Sequence, residues 1–240
     1  MGKPFVDRED PRRDFLVKAL ALGLYSVSGA IVPGAANAQL FGRRPRKLGK
    51  NESIYEIAGR VMVNGSVITG DAQINAGDIV ETGKSSQVIF VVGADAYFVR
   101  ENSRLELEGS GFLANALRIA TGAVLSVFGK GERLVRAPTA TVGVRGTGLY
   151  VESEPDMAYV CTCYGETKIS AADDPGISET IVSQHHDAPR YVLAAGAGKR
   201  LRPAPFKNHT DAELMLLEAL VGRTPPFSLF DEDYGAPRRY

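Results

Sequence analysis

From Glu52 onward, apolar residues come in short runs separated by Gly, Asp and Asn at intervals of about 8 to 12 residues. That punctuation predicts an all-β domain. The runs are rich in β-branched and aromatic side chains, which suit a pleated, half-buried surface. Strands are expected at 54–63, 66–69, 78–81, 86–92, 95–100, 103–108, 116–120, 123–128, 132–137, 139–144, 147–152, 157–163, 165–170, 178–184 and 190–194. Val88 to Val92 is apolar at every position, as expected of a strand covered on both faces. Gly143, Gly146 and Gly148 interrupt the run from Pro138 to Val151, which therefore reads as two short strands meeting at a tight corner. Helical periodicity enters only after residue 208. There Thr210 and Glu213 form a capping-box pair, Leu214, Leu217, Leu220 and Val221 share one face, and Gly222 ends the helix. That helix should pack on the β-domain.

The chain has 240 residues, 44% hydrophobic and 23% charged, enough for one substantial core. Lys and Arg balance Asp and Glu at 28 each, and the one basic cluster, Arg43-Arg44-Pro45-Arg46-Lys47, falls short of a basic stripe. Nucleic acid is therefore set aside as a partner.

Residues 1–38 read as an export signal. Arg12-Arg13-Asp14-Phe15-Leu16-Val17-Lys18 precedes an apolar stretch from Ala19 to Val32, and Ala36-Asn37-Ala38 offers a peptidase site before Gln39. The stretch is shorter than the roughly 20 residues that span a bilayer as a helix, so cleavage is expected. The arrangement resembles a twin-arginine signal, with the lysine one place later than is commonest. That resemblance implies export in the folded state, often after a cofactor has been acquired. The polar, basic residues 39–51 read as a tether without structure of its own.

Several segments carry a family resemblance. Gly59-Arg-Val61-Met-Val63, Gly77-Asp78-Ile-Val-Glu-Thr82-Gly83, Ser85-Ser-Gln-Val-Ile-Phe-Val-Val92, Glu101-Asn-Ser-Arg-Leu-Glu-Leu107, Leu117-Arg-Ile-Ala-Thr-Gly122 and Ala137-Pro-Thr-Ala-Thr-Val-Gly-Val-Arg-Gly-Thr147 occur in the order in which they do in the FecR domain, named after the ferric-citrate regulator. The chain resembles that family over roughly residues 55 to 155. The resemblance implies a β-solenoid-like stack of short strands. FecR regulators begin with a cytoplasmic helical segment that holds a sigma factor and continue through one membrane span. Here an export signal and a tether precede the domain, so only the domain carries over. The expected organisation is a signal at 1–38, a tether at 39–51, a FecR-type domain at 52–155, a β extension at 156–207, and a helix with a tail at 208–240.

The β extension holds the candidate chemistry. Cysteine occurs twice and histidine three times, and four of these five residues are Cys161, Cys163, His185 and His186. Alternate residues of a strand project from one face, so both sulfurs lie on the same side. The segment between, 164–184, is long enough for an antiparallel return that sets a histidine beside the cysteines. Thiolates and imidazoles suit zinc, copper or iron. Neighbouring histidines of a regular strand point to opposite faces, so His185 and His186 compete for one role. His209, beside the helix N-cap, reads as a spectator.

Three other readings stay open: a Cys161–Cys163 disulfide, strained across an extended strand; buried free thiols; and a solvated histidine pair before Pro189. Nucleophile elbows, Walker loops and His-Glu-x-x-His helices are absent from the sequence. Cys-x-Cys is not the usual redox spacing. Asp95, Asp173 and Asp174 read as solvated turn carboxylates. The expectation is an exported, non-enzymatic binding or scaffolding protein of the periplasm, its partner an envelope protein or a periplasmic ligand, with a transition metal at Cys161, Cys163 and His185 or His186. The alternative is a FecR-type sensor kept at the inner membrane by an uncleaved N-terminus, the one case in which a membrane is a partner.

Overall fold

The computed structural model describes residues 46–49, 51–111 and 113–227. The expected export signal, most of the tether and the end of the tail lie outside the described residues. Among them are fourteen strands and one helix: β1 (Ile54–Ala58), β2 (Val61–Val63), β3 (Ser66–Val67), β4 (Ile79–Thr82), β5 (Gln87–Val92), β6 (Asp95–Val99), β7 (Arg104–Ser110), β8 (Leu113–Val127), β9 (Glu132–Arg136), β10 (Ala140–Ser153), β11 (Met157–Ala171), β12 (Ser178–Ser183), β13 (Arg190–Leu193), β14 (Leu201–Pro203) and α1 (Asp211–Leu220). The fold is all-β with one C-terminal helix. No helix of the described residues is long and apolar enough to cross a membrane.

Three long strands organise the sheet. β8, β10 and β11 each continue through a glycine with positive φ, at Gly122 (87°), Gly146 (55°) and Gly165 (89°), so the expected short strands fuse in pairs. Each long strand then serves two neighbourhoods. The first half of β10 pairs with β9 and its second half with β8. β11 runs along β10, pairs with β12 through its second half and with β13 through its first. β5 links β1 to β6, and β6 pairs with the second half of β8.

Side-chain alternation sends these strands into two clusters. Val88, Phe90 and Val92 of β5 join the main core, while Ile89 and Val91 face the other way. Both faces of the strand are thus covered. The second cluster is built on a row that crosses five strands in register: Ile89, Phe98, Leu125, Tyr150 and Cys161. Leu214, Leu216, Leu217 and Leu220 of α1 belong to the same cluster. Burying an aliphatic side chain of this size contributes about 1.5 to 3 kcal/mol, so four leucines hold α1 where helix propensity over ten residues would not.

The ends of α1 follow from sequence. Thr210 Oγ1 accepts from the Glu213 backbone N–H at 3.3 Å, and the Glu213 carboxylate accepts from the Thr210 N–H at 2.8 Å. At the other end, Gly222 (φ 74°) allows the Gly222 and Arg223 amides to return to the carbonyls of Ala219 and Glu218. The end of the expected tether is not free: the Leu48 N–H donates to the Leu220 carbonyl at 2.9 Å. Asp95 also departs from expectation. It is buried, paired with Arg133 at 2.9 Å, and accepts from the Gly129 N–H at 2.7 Å.

Candidate metal centre

Cys161 and Cys163 lie on the helix-covered face of β11 and are both 0% exposed. Their neighbourhood depends on a bulge. Leu149 of β10 pairs with Thr162, yet the preceding residue Gly148 pairs with Tyr164, which leaves Cys163 as the extra residue of β11. A bulge breaks strict alternation, and Cys163 and Tyr164 accordingly join the same cluster. The glycine opposite is required there, because a methyl group on Gly148 would overlap the Tyr164 ring. Both cysteines are free thiols rather than a disulfide.

The expected antiparallel return exists: β12 pairs with the second half of β11, from Ser170 opposite Ser178 to Gly165 opposite Ser183. His185 and His186 follow it in a loop, not in a strand. Asp187 shapes that loop by accepting from the backbone N–H groups of Gln184 (2.7 Å) and His185 (3.2 Å). His186 takes a left-handed conformation (φ 54°), uncommon outside glycine, and its N–H donates to the Cys163 carbonyl at 2.8 Å. The strand geometry that set the two histidines in competition therefore does not apply.

One histidine joins the cysteines from this pair, and the other comes from elsewhere. His186 Nδ1 lies 3.5 Å from Cys161 Sγ, His209 Nε2 lies 3.4 Å from Cys163 Sγ, and the two nitrogens are 3.2 Å apart. All four atoms lie within 4.8 Å of one another. His185 stands outside this group, with its Nε2 2.9 Å from Asp211 Oδ1. His209, read as a spectator, belongs to it. The signal available in the sequence was the scarcity of histidine and its position one residue before a helix cap, where a docked helix would carry it onto the sheet.

In each histidine of the cluster, the inward-facing ring nitrogen is set by the hydrogen bond of the other. His209 Nδ1 donates to the Lys207 carbonyl at 2.8 Å, which leaves Nε2 with its lone pair toward the sulfurs. His186 Nε2 donates to Asp211 Oδ1 at 2.9 Å, leaving Nδ1 for the same task. Asp211 is the first residue of α1, where a carboxylate is favoured by the helix N-terminus. His185, His186 and Asp211 also form a compact trio, but its 2.9 Å separations are hydrogen-bond lengths.

Aromatic rings close the surroundings. Tyr150 stacks on His209 at 4.4 Å between centroids, and Phe206 lies 4.5 Å from His186 and 4.6 Å from His209. His186 and His209 are 2% and 1% exposed. Burial favours the neutral Cys161 thiol, but hydrogen bonds with Cys163, His186 and His209 outweigh it and bring the group well below its usual value. Burial and the adjacent Cys161 push Cys163 up. Burial opposes the His186 imidazolium, yet hydrogen bonds to Asp211 and Cys161 raise it to about 9. Cys161 and His186 therefore share a proton across 3.5 Å beside a second thiol and a second imidazole in a dry enclosure; a metal ion taking these atoms as ligands would displace that proton.

Neither a family model nor a curated protein matches the chain. Two crystal structures of a protein from Parabacteroides distasonis ATCC 8503, provisionally named an anti-sigma factor and solved at 1.65 and 2.50 Å, are similar with a TM-score of 0.43 and 10% identity. The similarity covers 52% of this chain and 58% of those, so the chain spans a little over half of their length.

Proposed function

We propose that this protein is an exported, non-enzymatic FecR-type β scaffold of the periplasm that carries one structural zinc ion on Cys161, Cys163, His186 and His209, and presents its sheet to an envelope protein or periplasmic ligand. The observation that carries the metal reading is the set of separations among the ligand atoms. Around a tetrahedral zinc with bonds of about 2.3 Å to sulfur and about 2.05 Å to nitrogen, the nitrogens are about 3.3 Å apart and sulfur–nitrogen pairs roughly 3.5 Å apart. The separations of 3.2, 3.4 and 3.5 Å fall on these values.

A Rieske-type pair of irons is a poorer fit, because it divides its cysteines and histidines between two metals while the sulfur–nitrogen contacts here are 3.4 and 3.5 Å. Tetrahedral S2N2 sets favour zinc among mononuclear ions. Four protein ligands fill the shell, which suits a structural ion better than a catalytic one that keeps a position open for substrate. A carboxylate behind a ligating histidine, common around such ions, has its counterpart in Asp211. The FecR-type and exported parts of the reading rest on the ordered segments from Gly59 to Thr147 and on the twin-arginine-like N-terminus.

Metal analysis of the full chain recovered from the periplasm tests the proposal. About one zinc per chain in the wild type, lost in Cys161→Ser, is the expected result. A wild-type protein without stoichiometric metal would overturn it. N-terminal sequencing tests the export half, with Gln39 expected as the first residue.

A further inference from the structure

The four ligands come from three separate parts of the chain: Cys161 and Cys163 from β11, His186 from the loop after β12, and His209 from the strap before α1. From this we infer that the metal is a latch that fastens α1 across the sheet, so that occupancy of the site decides whether the apolar row under the helix is covered. The inference rests on the metal reading above and adds a consequence to it.

Three observations support a latch confined to this region. First, α1 has ten residues, too few to stay helical in water by themselves. Its order depends on docking. Second, the site grips the helix at its beginning. His209 precedes the N-cap Thr210, and Asp211 accepts from both His185 and His186, so His186, which turns toward the cysteines, also orients the first turn. Glu213 of the same turn also pairs with Arg100, at 2.9 Å. Third, the main core needs none of this. Val61, Val80, Leu105, Val124 and Val151 are buried in a cluster that excludes the helix residues.

Removing the ion would leave two buried sulfurs and two buried imidazoles facing one another in an apolar enclosure. They would then keep one another as partners, at 3.2 to 3.5 Å, in apolar surroundings where burying polar groups costs free energy that hydration would recover. Moving the strap and helix away lets water reach these groups, at the expense of uncovering Ile89, Phe98, Leu125 and Tyr150. The unlatched form would therefore show a hydrophobic strip, while strands far from the site keep their pairing.

Hydrogen exchange of the full-length protein, followed by mass spectrometry with zinc bound and after chelation, tests the latch. The expected result is a loss of protection of at least about tenfold for the amides of residues 213–220 on chelation, restored by added zinc, with β4 and β7 unchanged. His209→Ala should expose the same amides even in the presence of zinc. Full protection of α1 in a chain shown to have lost its zinc would overturn the latch and leave the metal reading standing. Loss of protection throughout the β-domain would also overturn it, by making the ion a support of the whole fold. A chain that takes up no zinc at all would overturn the underlying reading instead.

Discussion

His186 Nε2 lies 2.9 Å from Asp211 Oδ1, and this contact assigns the other ring nitrogen, Nδ1, to the cysteines. A carboxylate accepts only, so the proton must sit on Nε2. Replacing the carboxylate frees the ring to change tautomer and to rotate. Asp211→Ala is therefore expected to weaken zinc binding by about 10- to 100-fold, measured by competition with a chelator of known affinity. Asp211→Asn, which keeps an acceptor oxygen, should fall between the variant and the wild type. Equal affinities for all three would show that Asp211 has no part in holding the ligand.

Gly148 faces the Tyr164 ring across the bulge at Cys163. Gly148→Ala should destabilise the protein by about 1 to 3 kcal/mol, the usual range for overpacking a filled site. Urea unfolding is the measurement. Because the obstruction is the ring, the penalty should shrink in a Tyr164→Ala background, and a double-mutant cycle reads that coupling. A Gly148→Ala protein as stable as the wild type would mean that β10 and β11 can move apart here without loss.

The capping box of α1 gives a smaller, separate effect. Thr210→Ala removes the acceptor for the Glu213 N–H and is expected to lower stability by about 1 kcal/mol. With zinc bound, the loss should also appear as faster exchange in the first turn of α1. Unaltered exchange there would place the anchoring of the helix elsewhere.

Glu56 supplies a test in pH. It lies on β1, where burial raises its carboxyl above the ordinary value, only partly offset by a 3.4 Å hydrogen bond from Gln87. A carboxyl with a raised folded pKa binds more protons folded than unfolded, so its contribution to stability declines as pH rises from the unfolded pKa of about 4.3 through the folded one. Glu56→Gln should thus stabilise the protein at pH 7, with the gain fading toward pH 4. Chemical denaturation of both proteins across this range checks it. A gain independent of pH would point to a cause other than ionisation.

Much of the β framework could be read from the chain because Gly, Asp and Asn mark the places where backbones turn. The same marks misled at Gly122, Gly146 and Gly165, where a positive φ bends a strand without ending it; the hydrogen bonds that carry β8, β10 and β11 through those points come from partners distant in sequence. β14 escaped notice because Leu201 to Pro203 sits among Lys and Arg and is defined by β13 alongside it. In the candidate site the two cysteines and the returning strand were legible. Asp211 and His209 were not. An acid in the first turn of a helix already has a local reason to be there, and a histidine next to a cap has no local signature at all. Both acquire their role only when α1 docks on the face that carries Cys161.

The assignment of one histidine of the adjacent pair, and not the other, can be separated by substitution. His186 Nδ1 reaches Cys161 Sγ at 3.5 Å and its backbone is tied to the Cys163 carbonyl, whereas His185 meets Asp211 and lies against Phe227 at 4.9 Å. Cobalt(II) reports which side chains bind, since a tetrahedral thiolate site gives intense visible bands and sulfur-to-cobalt charge transfer in the near ultraviolet. The full-length protein loaded with cobalt should show both features. Cys161→Ser and Cys163→Ser should each lose about half of the charge-transfer intensity, as expected when one of two sulfur ligands is removed. His186→Ala and His209→Ala should disturb the visible bands, because a water must then complete the shell. His185→Ala should leave the spectrum unchanged and weaken binding by no more than about tenfold, the lower end for loss of a supporting partner. If His185→Ala altered the spectrum while His209→Ala did not, the histidine that closes the shell would be the one beside His186, and the strap before α1 would contribute no ligand to the metal.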